Sequence, residues 1–138
     1  MVPIFLDTSF AIALAVTDDM HHMDALELRE HVKREQIQLL TTSAVLLEIG
    51  DGLSRIRYRT LAFTILEFFR RDPTIEIAQL SDVLLEKAID LYRNRPDKEW
   101  GLTDCVSFVV MQERGITDAL TTDDHFQQAG FRALLRRK

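Results

Sequence analysis

"VPIFLDTSFAIAL", residues 2 to 14, decides the class of fold. Val2 to Leu6 make an apolar run too short for a buried helix, and the run stops at an acid, Asp7, so it reads as a buried strand. "TSFAIALAV", which begins at the next residue, reads as helix. A strand that passes straight into a helix is half of a βαβ unit, and such units build parallel sheets with helices on both faces.

The same alternation continues outward from this stretch. "DDMHHMDALELREHVKREQ" (18–36) sets Met23, Leu26 and Val32 among charges at helical spacing. "IQLLTTS" is a second short strand, and Thr42 or Ser43 is the N-cap expected for the helix "AVLLEIGDGL". A helix is expected from about Ser54 to Arg71, with Leu61, Ile65, Leu66 and Phe69 as its stripe and Pro73 closing it. "IEIAQL" is a third strand, after which Ser81 caps "DVLLEKAIDLYR", whose Leu84, Ala88, Leu91 and Tyr92 share a face. Beyond the polar loop "NRPDKEWG", Thr103 is the expected cap of a helix that runs to Arg114 and stops at Gly115. "DALTTDDHFQQAGFRALL" (118–135) then reads as strand, acidic turn, short helix and last strand. The fold class is therefore α/β with a mostly parallel central sheet.

A chain of 138 residues suits one domain, residues 1–138, and 46% apolar residues suffice for one core. The single cysteine, Cys105, rules out an intramolecular disulfide and any cysteine-based zinc cage, and fits a reducing, cytoplasmic setting. The N-terminal run lacks the basic start of a secretion signal and is broken by Asp7. No other apolar run approaches the ~20 residues needed to span a bilayer, so a soluble protein is expected. A net charge of −5 argues against binding nucleic acid through bulk positive charge. It leaves room for a nuclease that concentrates acids in one pocket.

Ligands of such sheets gather beyond the carboxyl ends of the strands. Asp7 follows the first strand, Asp104 stands at a helix start, and Asp123 follows "DALTT". Glu48 lies about one turn into an otherwise apolar helix. Each acid alone has a plainer reading, as a cap, a turn residue or a surface charge. As a converging set they would repel one another unless a cation lay between them. Oxygen donors without histidine or cysteine favour Mg²⁺ or Mn²⁺ over zinc, and such ions assist phosphoryl chemistry.

"VPIFLDTSFAIAL", "TTSAVLLEIGDGL", "EWGLTDCVSFVVM" and "ALTTDDHFQQAGF", in this order across essentially the whole chain, resemble the successive motifs of the PIN domain, particularly its VapC-type members. The resemblance implies a three-layer α/β/α sandwich and a metal-dependent ribonuclease that hydrolyses RNA phosphodiester bonds. It places the family's acids on Asp7, Glu48, Asp104 and Asp123. Asp123 is preferred to Asp124 because "TTDDHF" matches a pattern of Thr, any residue, Asp, any residue, His, Phe. Ser9 and Thr122 fall where the family often carries a small hydroxyl, and are expected to support a carboxylate or a metal-bound water. The resemblance also implies a homodimer and a cognate antitoxin protein. A housekeeping RNA-processing nuclease and a catalytically silent PIN binding module are the alternatives. A haloacid-dehalogenase-type phosphatase, which likewise starts from an acid after its first strand, needs a second acid two residues on, where this chain has Ser9.

Several residues invite other roles. His21 and His22 point about 100° apart on a helix and read as solvated residues. His125 either reaches a phosphate or packs beside Phe126. Arg55, Arg59 and Arg70 fall within about 60° on one face of an ideal helix, a candidate RNA phosphate track or a merely solvated face. The "LLRRK" ending is too short to be a nucleic-acid arm. Cys105, with no His or Asn relay in evidence, reads as a small core residue.

Overall fold

The computed structural model of the protein describes residues 2–135. Its centre is a sheet of five strands: β1 (Ile4–Leu6), β2 (Leu39–Thr42), β3 (Ile75–Ala78), β4 (Asp118–Leu120) and β5 (Arg132–Ala133). The order is β3-β2-β1-β4-β5, and every pairing is parallel. Parallel neighbours need crossover helices, which here are α1 (Thr8–Ala15), α2 (His22–Arg34), α3 (Ser43–Gly52), α4 (Arg59–Arg71), α5 (Asp82–Asn94), α6 (Leu102–Arg114) and α7 (Asp124–Gln128).

Handedness distributes these helices. Right-handed crossovers that step from β1 to β2 to β3 put α1 to α4 on one face, and those that return to β4 and go on to β5 put α5 to α7 on the other. Accordingly α1 packs on α2, α3 and α4, while α5 packs on α6. The result is a three-layer α/β/α sandwich. Phe5, Leu6, Leu40, Ala119 and Leu120 are fully buried between the layers.

β1 is where the strand order reverses, since the chain leaves it towards β2 and later returns on its other side as β4. Crevices at such switch points are the usual ligand sites of open parallel sheets. The register pairs Leu6 with Leu120, and Asp7 N–H donates to the Leu120 carbonyl at 3.2 Å, so the residues after the two strands emerge side by side. α3 and α6 meet at this end of the sheet.

Some boundaries differ from the sequence reading. The helix expected from Ser54 to Arg71 is a 3-10 turn, Ile56–Tyr58, followed by α4. Leu53 is buried where α3 ends, and the chain has to turn there before α4 can pack back on α3. α6 is capped by Gly101 rather than Thr103, because the Asp104 carboxylate reaches back to Gly101 N–H at 3.1 Å. The inward face of α2 is carried by Ala25, Leu28 and Val32, with Met23 exposed. Thr42 does cap α3, with its hydroxyl accepting from Val45 N–H, and Ser81 caps α5. Gly115 ends α6 at φ 66°, in the left-handed region that glycine enters without a Cβ clash.

Candidate functional site

Asp7 is the N-cap of α1 and only 5% exposed. A buried carboxylate needs donors, and Asp7 Oδ2 accepts from the hydroxyls of Ser9 (3.0 Å) and Thr121 (2.7 Å). Burial outweighs these bonds and pushes its pKa from 3.8 up to about 6, with the charge of Asp104 adding to the rise. The hydroxyls beside Asp7 are thus those of Ser9, which the sequence singled out, and of Thr121, which it did not; Thr122, expected to support a carboxylate or a metal-bound water, is not among the donors to Asp7. Thr121 continues β4 with its side chain facing the interior, whereas Thr122 contributes its backbone N–H, which donates to Ser9 Oγ at 3.0 Å. Strand alternation sends neighbouring side chains to opposite sides, a distinction that a motif match does not make.

Glu48 projects from α3, and its carboxylate accepts the hydroxyl of Thr8. Its pKa is raised, first by burial and then by the negative charges of Asp104, Asp123 and Asp51. Thr8 was not among the residues singled out from sequence. Its place directly after Asp7, at the start of α1, is the signal that was available.

Asp104 sits in the first turn of α6 with 14% of its side chain exposed. Its Oδ2 accepts from Gly101 N–H and lies 2.9 Å from His125 Nδ1. Burial raises its pKa, the His125 contact lowers it, and Asp123 raises it again. Behind it, residues 105–111 of α6 are all buried. Phe108 packs edge-on against Trp100 and Phe126, with ring centroids 5.0 Å apart in each case. The Cys105 thiol is pushed up to about 11, by burial first and by the charge of Asp104 second, which keeps it protonated and unreactive.

Asp123 caps α7 by accepting His125 N–H at 2.9 Å, and its own N–H donates to Thr121 Oγ1 at 3.0 Å. Asp124, the alternative at this point, is exposed on the first turn of α7. Asp104, Asp123 and His125 each offer a ligand atom, and these atoms all lie within 4.8 Å of one another. The charge of Asp104 is felt at Asp7 and Glu48, and that of Asp123 at Glu48 and Asp104, so the four acids share one electrostatic site.

The arginines do not form one track. Arg55 precedes the 3-10 turn in an extended conformation, and Arg59 starts α4 with its Nε donating to the Ser54 carbonyl at 2.8 Å. Arg70 lies near the other end of α4, about 16 Å along the axis from Arg59, and pairs with Glu67. That end feeds β3, whose Ile75 is level with the first residue of β2, so Arg70 stands at the amino ends of the strands, opposite the acids. His22 Nδ1 contacts the Ala13 carbonyl at 2.7 Å and His21 is the N-cap of α2; both are half-buried rather than solvated. The basic residues of "LLRRK", Arg136, Arg137 and Lys138, lie outside the described residues. Among those described, no helix is long and apolar enough to cross a membrane.

Comparison with known proteins agrees with this architecture. A 23S rRNA-specific endonuclease, VapC20 of Mycobacterium tuberculosis, is 30% identical over 128 residues, which cover 93% of this chain and 95% of that protein. A VapC ribonuclease of Archaeoglobus fulgidus is 28% identical over 111 residues, covering 78% of this chain and 69% of that one. The crystal structure of Mycobacterium tuberculosis VapC20, described as a sarcin-ricin loop cleaving toxin, superposes with a TM-score of 0.82 at 27% identity over 93% of this chain and 95% of that one. DNA-bound VapBC from Salmonella typhimurium shares the fold at a TM-score of 0.67 and 16% identity, over 96% of this chain and 97% of that one. The PIN domain family model matches residues 4–132, nearly the full span of the sheet and its helices, and the chain belongs to the PIN domain family and resembles its VapC-type members.

Proposed function

We propose that the protein is the endoribonuclease toxin of a toxin–antitoxin pair, and that it hydrolyses RNA phosphodiester bonds with the help of a divalent cation. One observation carries the reading: four carboxylates, just after β1, on α3, on α6 and in the β4–α7 turn, act on one another electrostatically at the switch point of a VapC-like sheet.

The donor set fits a hard cation. All four acids offer oxygen, and three of them are held above their ordinary pKa, partly by one another's charge, a conflict that a bound cation removes. Asp7, Glu48, Asp104 and Asp123 are the residues proposed to hold Mg²⁺ or Mn²⁺. The ion would neutralise charge on the scissile phosphate and favour attack by water. The chain's own part is to hold these carboxylates still: Ser9 and Thr121 fix Asp7, Thr8 fixes Glu48, and α6 is anchored by its buried face. Cys105, buried and held protonated, supplies no nucleophile, and the proposed attacking group is water.

The kinship with VapC20 makes the sarcin–ricin loop of 23S rRNA the first substrate to try. A cognate antitoxin, assembly as a homodimer and a cytoplasmic place of action complete the reading. Purified protein should cut 23S rRNA with Mg²⁺ or Mn²⁺, and should lose this activity in EDTA and in Asp7→Asn or Asp104→Asn, with far-UV circular dichroism unchanged. Full cleavage in excess EDTA would overturn the metal-dependent reading, and intact RNA under all conditions would overturn the nuclease reading.

A further inference from the structure

His125 belongs to none of the four acid positions, yet it touches two of them. Its Nδ1 is 2.9 Å from Asp104 Oδ2 and 3.4 Å from Asp123 Oδ1, and its backbone N–H donates to Asp123 Oδ1 at 2.9 Å. An ionised carboxylate oxygen only accepts, so Nδ1 carries the hydrogen of the Asp104 contact. Asp104 Oδ2 then receives two N–H groups, from His125 and from Gly101, while among the described residues no such donor is directed at Oδ1. Two donors on one oxygen set the rotation of the carboxylate and leave Oδ1 as the oxygen not engaged by them.

The surroundings keep this contact in place. Phe126, the next residue, is fully buried and packs on Phe108 of α6 and on Phe5 of β1. Trp100 Nε1, just before α6, donates to Gln128 Oε1 of α7 at 3.0 Å. α6 and α7 are therefore joined at three points: a ring contact in the core, a hydrogen bond at the flank, and the His125–Asp104 bond at the crevice.

Building on the metal reading above, we infer that His125 is a positioning residue: its Nδ1–H orients Asp104 so that Oδ1 is the atom offered to the cation, and the imidazole is not itself a ligand. Outer hydrogen bonds of this kind fix the direction of metal ligands, and losing one typically costs about 10–100-fold in metal affinity.

The test uses Mn²⁺ alone, with the free ion followed by its electron paramagnetic resonance signal, and needs no RNA. Asparagine carries an N–H donor where histidine has Nδ1, whereas glutamine places its amide nearer to Nε2. His125→Ala and His125→Gln should weaken Mn²⁺ binding about 10–100-fold, while His125→Asn stays close to native. Melting temperatures of the metal-free variants report whether the fold is intact, and a merely structural role would not separate Asn from Gln by metal affinity. The inference is overturned if His125→Ala binds as tightly as native, or if Gln restores binding and Asn does not, which would make Nε2 the acting atom. A native protein that binds no Mn²⁺ overturns the metal reading and this inference together, whereas a tight native protein with an equally tight His125→Ala overturns this inference alone.

Discussion

At the scale of single residues, Asp7 shows what the crevice costs the fold. Its folded pKa of about 6 lies above the ordinary 3.8, chiefly because the group is buried. Between those values the folded chain keeps a proton that the unfolded chain has released, so the stability due to this group falls as pH rises through that window and stays low above it. The gap corresponds to about 3 kcal/mol at most. Asp7→Asn removes the titration while keeping the shape. In EDTA at about pH 7 the variant should therefore be more stable than native, and at about pH 4 the advantage should nearly vanish. Urea unfolding at the two pH values measures both differences. An advantage that is the same at both, or a variant less stable at neutral pH, would count against burial of the charge as the cause. That Asp7 is an acid at a strand end was plain in the sequence. That Thr121 and Thr8 are the hydroxyls of the site was not, because each partnership joins residues from different elements and depends on which side of its element a short side chain faces.

At the scale of elements, the sequence located strands and helices well, because a buried parallel strand and a helix that covers it differ in length and period. It failed where two helical segments were separated by a turn. The apolar spacing of Leu61, Ile65, Leu66 and Phe69 is sound for α4, but periodicity in one segment says nothing about where the segment begins. The 3-10 turn at Ile56–Tyr58 changes the view of the arginines. Arg55 and Arg59 flank the turn that follows the Glu48 helix, whereas Arg70 stands at the far end of the sheet. If the turn meets RNA, the paired change Arg55→Ala with Arg59→Ala should weaken binding and lower the salt dependence of the affinity by about one unit of slope per lost phosphate contact. Arg70→Ala should leave both unchanged. Titrating RNA into the Asp104→Asn background at several salt concentrations separates binding from cleavage. An equal loss from Arg70→Ala would mean that the RNA runs along the length of α4.

At the scale of the whole molecule, alternation of strand and helix was enough to call for a covered parallel sheet, but the strand order was not legible. Neighbouring strands are chosen by how the covering helices pack, and β1 becomes central only because the chain returns to its far side after β3. That return brings Asp104 and Asp123 to Asp7, and it adds like charges to one crevice of a chain that already carries a net −5. The fold thus holds a repulsion that a cation bound only in the folded state would relieve, and such binding raises stability by mass action. With Mn²⁺ at about 100 times its dissociation constant the gain is about 2.7 kcal/mol, which for a chain of this size corresponds to a rise on the order of 10 °C in melting temperature. Asp104→Asn should lose most of that rise, because one ligand and one charge are gone. Asp124→Asn should keep it, since Asp123 and not Asp124 stands with Asp104 and His125. Differential scanning calorimetry of the three proteins, with Mn²⁺ and with EDTA, reads the result directly. Equal rises in all three would place the ion away from the switch point, and a rise lost in Asp124→Asn but kept in Asp104→Asn would move the site outward onto the first turn of α7.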